Sequence, residues 1–148
     1  MRVIVVVACL CASACGGDGG GGPTTSHDMV GSWSYEMPNM QDGHGLTCVI
    51  SGPVLTLAQA GVTFSGSVTG GNEDCTFSGG SFSNPMGNAS VVDGEIHGDS
   101  LSFNINSVVW RSVGVFVTPD SIEGTVNSIA SYQGTQYYLV GRFYSRRQ

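Results

Sequence analysis

Ile122-Glu123-Gly124-Thr125-Val126 places a glycine between two apolar residues, each two positions away. The same spacing recurs in Phe64-Ser65-Gly66-Ser67-Val68, Val92-Asp93-Gly94-Glu95-Ile96 and Leu139-Val140-Gly141-Arg142-Phe143, and Phe77-Ser78-Gly79 begins it. Side chains alternate faces along a strand, so each glycine shares a face with its apolar neighbours. The Ser, Asp, Glu, Thr and Arg between them mostly face outward. Glycine weakens a strand, so repeated inward glycines need a reason. Kinks that let strands coil tightly enough to close a small barrel supply one. A flatter sandwich has less use for them, and closure also removes the sheet edges that invite aggregation. A compositional bias toward glycine, 23 residues of 148, leaves the recurring spacing unexplained.

Outward from these segments, no helical period is visible after Val30, and turn signals are frequent. They include Gly43-His44-Gly45, Gly52-Pro53, Gly70-Gly71-Asn72, Asn84-Pro85-Met86-Gly87, Gly98-Asp99 and Pro119-Asp120. Between them lie short alternating runs such as Leu101, Phe103 and Ile105 with Ser102 and Asn104 interleaved. Strands are predicted near 31–37, 45–51, 54–60, 62–69, 74–83, 89–97, 100–110, 112–118, 121–128 and 136–145. Two adjacent pairs could each form one bent strand, so the count is eight to ten. Connections are short, which makes sequence neighbours spatial neighbours. The fold class expected is all-β, a small antiparallel up-and-down barrel of the kind that can hold one small ligand.

The N-terminus carries a different message. Met1-Arg2 supplies one positive charge, and the uncharged run from Val3 to Ala14 has signal-peptide length. It falls short of the roughly 20 apolar residues that span a bilayer core. Ala12-Ser13-Ala14-Cys15 then resembles the bacterial lipobox, in which small residues precede the Cys that is lipidated and becomes the first residue. Ala12 stands where Leu is usual. Read as an ordinary secretory signal, Ala12-Ser13-Ala14 would be an Ala-x-Ala cleavage site with Cys15 unmodified. The following Gly16-Gly17-Asp18-Gly19-Gly20-Gly21-Gly22-Pro23-Thr24-Thr25 reads as a flexible tether reaching roughly 15–20 Å. The organisation expected is a signal over 1–14, a lipidated Cys15 and tether over 15–26, and a barrel domain over 27–148. The resemblance implies a palmitate-type lipid anchor in the cell envelope, at the outer membrane or periplasmic face if the cell has two membranes.

Once Cys9 and Cys11 leave with the signal and Cys15 takes lipid, Cys48 and Cys75 remain. Two cysteines in an oxidising compartment read as one disulfide. A metal or redox role has neither C-x-x-C spacing nor a nearby His behind it.

Charge narrows the partners. The chain carries a formal −6 and contains no Lys, and three of its arginines, Arg142, Arg146 and Arg147, lie in the last seven residues. A basic face able to neutralise phosphates is missing, so nucleic acid is not an expected partner. No G-x-S-x-G, phosphate-cradling or H-E-x-x-H motif is present, so neither catalytic residues nor a cofactor are assigned. His27-Asp28, Asp42-Gly43-His44 and Glu95-Ile96-His97-Gly98-Asp99 put histidines beside carboxylates, but in loops and strand ends where polar residues belong anyway.

Gly31-Ser32-Trp33 opens the first strand and Arg142 stands in the last. This resembles the calycin barrels, the lipocalins and avidins, in which a basic residue from the final strand packs over the Trp at the closed end. The resemblance implies that topology; the lipocalin Thr-Asp-Tyr motif is absent. Trp33, Tyr35, Trp110 and Arg142 are the candidate pocket or barrel-end residues, and Tyr132 and Tyr137, flanking a turn, belong at a rim. The function expected is a membrane-anchored extracytoplasmic lipoprotein with a structural or interaction role in the envelope. The alternative is a lipocalin- or avidin-like module for a small apolar or amphipathic ligand. Phe64, Phe77, Phe82, Phe103 and Phe143 bear on the choice, because rings that interdigitate leave no pocket.

Overall fold

Alternation from Gly31 onward resolves into strands joined by tight glycine turns. The computed structural model describes residues 27–105 and 110–148. The signal, Cys15 and the glycine tether lie outside the described residues. The strands are β1 (Gly31–Gln41), β2 (Thr47–Ser51), β3 (Val54–Ala60), β4 (Thr63–Thr69), β5 (Asn72–Phe77), β6 (Gly80–Pro85), β7 (Ala89–His97), β8 (Ser100–Ile105), β9 (Trp110–Thr118), β10 (Ser121–Tyr132) and β11 (Thr135–Arg147). Eight of them, in the order β1-β3-β4-β7-β8-β9-β10-β11, close into an antiparallel up-and-down barrel through the β11–β1 pairing.

The other three form an upper tier. The first half of β1, Gly31–Ser34, pairs with β3, while its second half, Met37–Gln41, pairs with β2. β5 adds to β2, and β6 adds to β5. A register irregularity between Glu36 and Asn39 marks the change of neighbour. Pro38 sits in that irregularity, where a missing N–H costs the ladder least. The sequence pattern predicts one strand over 74–83; the structure has two, because the chain reverses at Ser78-Gly79 between β5 and β6. Gly79 is therefore a turn residue and not one of the inward glycines. The reversal places Phe82 directly opposite Cys75.

Cys48 and Cys75 are register partners on β2 and β5 and are joined by a disulfide across 27 residues of sequence. In the chain-entropy model a loop of that length stabilises the fold by roughly 3–4 kcal/mol. The bond staples the upper tier where it leaves the barrel.

The inward glycines receive the large side chain of the neighbouring strand. Gly66 lies opposite Leu57, Gly94 opposite Phe64, Gly124 opposite Phe143 and Gly141 opposite Met40. A Cβ on Gly124 would come within 2.2 Å of the Val113 carbonyl oxygen and 2.4 Å of the Phe143 ring. One on Gly94 would meet the Phe64 ring at 2.6 Å. Gly114, which the sequence spacing does not single out, completes the floor beneath Phe143, with that ring 2.8 Å from an added Cβ. Space left by glycine on one strand is thus filled from the next. The core so formed includes Trp33, Tyr35, Met37, Phe64, Phe103 and Phe143, all buried.

Overpacking a filled core costs about 1–3 kcal/mol or more. Gly124→Ala is expected to lose about 2–3 kcal/mol in urea unfolding. Gly87→Ala, where an added Cβ meets nothing within 4 Å, should stay within about 0.5 kcal/mol of the parent. Equal midpoints for the two variants would refute the packing account.

Candidate functional site

The barrel has two unlike ends. At the lower end Trp33 is buried, and its indole N–H donates to the Met29 carbonyl at 3.0 Å. The guanidinium of Arg147 lies 4.6 Å from the centre of the Trp33 ring. Arg147 also donates to Asp120 at 2.8 Å and to the carbonyls of Val30 and Asp28. One side chain thereby ties the last strand to the entry of the first. A cation over Trp is worth about 0.5–2 kcal/mol. His27 stacks on Phe116, its ring centre 3.9 Å away, and its Nε2 lies 2.8 Å from Asp99.

The basic residue over Trp33 is therefore Arg147, not Arg142. Side-chain parity explains the correction. Phe143 faces inward, so Ser145 and Arg147 do too, and Arg147 is the register partner of Trp33. Arg142 faces out, where it donates to Glu123 at 3.0 Å and lies 5.8 Å from the Tyr144 ring centre.

Between the ends the interior is filled. Tyr35 stands at its centre, with ring centres 5.1 Å from Phe143, 5.7 Å from Phe103 and 6.4 Å from Trp110. Phe64 packs edge-on against Phe103 at 5.9 Å. The Tyr35 hydroxyl pairs with Ser112 at 2.5 Å, and burial pushes the phenol above its ordinary range, keeping it neutral. Of the four candidate residues, the structure brings Tyr35 and Trp110 together in the core, seats Trp33 at the lower end and puts Arg142 outside.

The upper end is a mouth ringed by three turns. Lining a depression of about 240 Å³ are Phe77, Phe82, Tyr132 and Tyr137 with Asp42, His44 and Leu46 among its polar and apolar neighbours. Tyr132 stacks on Phe82 with ring centres 4.7 Å apart and lies 5.5 Å from Phe77, joining the β10–β11 hairpin to the upper tier. Its position is fixed by a two-residue turn, Gln133-Gly134, with both φ angles positive at 49° and 80°. Asp42 accepts N–H bonds from His44 at 2.7 Å and Leu46 at 3.0 Å, both on one carboxylate oxygen. These backbone donors hold its carboxyl below the usual range. The rim position of Tyr132 and Tyr137 is legible from the turn they flank. The share of Phe82 and Asp42 is not, because it depends on the β5–β6 reversal.

Below the mouth, Glu73 lies half-buried with its carboxylate within 4.8 Å of the Cys48 and Cys75 sulfurs. Those sulfurs are already bonded to each other. Among the described residues, the three histidines join no cluster of metal-ligating side chains.

Two outcomes follow. Tyr35→Phe leaves the buried Ser112 hydroxyl without its partner and should cost about 1–3 kcal/mol. Adding Ser112→Ala should recover most of it, and a second loss of similar size would contradict the pairing. Burial raises the Glu73 carboxyl, with the Asn84 side chain partly offsetting it. The folded state thus resists ionisation more than the unfolded chain, and stability falls as pH rises from the ordinary carboxylate value through the raised one. Glu73→Gln should raise the melting temperature at neutral pH and lose that advantage at pH values below the ordinary carboxylate range. An advantage that persists unchanged in acid would mean a cause other than charge.

No protein-family model and no curated protein sequence matches this chain.

Proposed function

We propose that this protein is a lipid-anchored extracytoplasmic lipoprotein whose barrel is a rigid platform for interactions made at its surface and mouth. The observation that carries this reading is the filled interior. Tyr35, Phe64, Phe103 and Phe143 interdigitate along the axis. A calyx that encloses an apolar cargo needs that volume empty.

Two further features support it. The Cys48–Cys75 disulfide suits an oxidising compartment outside the cytoplasm. His27 and Asp28, the first described residues, lie at the lower end of the barrel, opposite the mouth, which suits an anchor on that side. Lipid chains contribute about 0.8 kcal/mol per buried CH₂, and more than one chain gives stable anchoring.

Metabolic labelling with an alkyne-bearing fatty acid tests the anchor. The full-length chain expressed in a bacterial host should incorporate label and fractionate with membranes, and Cys15→Ser should do neither. An unlabelled parent chain recovered in the soluble fraction would overturn the lipoprotein reading.

A further inference from the structure

Four rings and one carboxylate meet at the mouth, and the combination has a specific chemistry. Phe77, Phe82, Tyr132 and Tyr137 present π-systems around one depression, and ring faces attract cations. Backbone N–H groups of the 42–46 turn hold the Asp42 carboxylate in place, and it remains solvent-accessible at the rim. The charge around it has the matching sign. The chain is formally −6 with no Lys, and no arginine lines the mouth. Arg142 is paired with Glu123, and Arg147 is committed to the opposite end.

We infer that the mouth is a binding site for a small methylated ammonium ion, held by the Phe77, Phe82, Tyr132 and Tyr137 rings and neutralised by Asp42. Methylation follows from the donor set. A primary ammonium is strongly hydrated and needs several acceptors to replace its water. The mouth offers one carboxylate and several ring faces, which suit a weakly hydrated cation whose charge is spread over methyl groups. A volume of about 240 Å³ accommodates one such headgroup and little more. Entry is direct, because the mouth lies at the end of the molecule opposite His27. The site depends on the rim and not on the lipid anchor, so either proposal can fail without the other.

Choline and its uncharged isostere, with tert-butyl in place of trimethylammonium, separate charge from shape. Titrations of the full-length chain in detergent micelles, followed by NMR of the tyrosine ring protons, should show choline binding at least about tenfold more tightly than the isostere. Tyr132→Leu should weaken choline about tenfold, because it keeps apolar bulk and removes the ring. Asp42→Asn should do the same, since it keeps an acceptor oxygen for the turn and removes the charge. Tyr137→Leu provides a second ring variant whose position is independent of the Phe82 stack. Equal binding of choline and isostere, no shift with choline at saturating concentrations, or binding of a neutral methyl glycoside in their place would each overturn the proposal.

Discussion

The narrow interior of this eight-strand barrel is filled by side chains, and the other features of the fold are arranged around that packing. Large rings cannot face one another across so narrow a space unless something opposite gives way. Here the concession is glycine. Phe143 rests on Gly114 and Gly124, Phe64 on Gly94, and Met40 on Gly141. These glycines cost strand stability individually, yet without them the rings that close the core would have nowhere to lie. They shape the packing as much as they relax the backbone.

A filled interior moves function to the ends, and the two ends are built differently. At the lower end Arg147 covers Trp33 and bonds to the carbonyls of Val30 and Asp28, so the last strand locks the first. Among the described residues of that end, His27 is packed on Phe116 with its Nδ1 buried and without a hydrogen-bond partner. At the upper end β1, β10 and β11 overrun the barrel, and β2, β5 and β6 extend it under the Cys48–Cys75 staple. Closure of that tier rests on ring stacking between Tyr132 and Phe82 and not on a continuous ladder. Phenol and carboxylate groups remain at the opening. The barrel is thus asymmetric, sealed at one end by Arg147 over Trp33 and open at the other.

Much of this was legible in the residues. Inward glycines at constant spacing announced a coiled, closed sheet, and the strand and turn signals placed most elements within a few residues. The pairing of Cys48 with Cys75 followed from counting. Two expectations differ from the structure, one in side-chain parity and one in a turn. Position in the last strand alone points to Arg142 for the Trp33 ring, whereas counting faces from Phe143 points to Arg147. The run over 74–83 reads as one strand because Ser78-Gly79 carries no stronger turn signal than several glycines that do sit within strands.

Alternation, glycine spacing and turn residues are local properties, written within five to ten neighbouring positions, so the sequence alone determined that this is a closed antiparallel barrel with one disulfide. Which strands leave the barrel to form the upper tier, and which rings meet at its mouth, depend on contacts between segments far apart in the chain, such as Phe82 with Tyr132. No local pattern encodes those meetings. They are settled by register and by the volume left once the core has filled, and only the tertiary structure decides them.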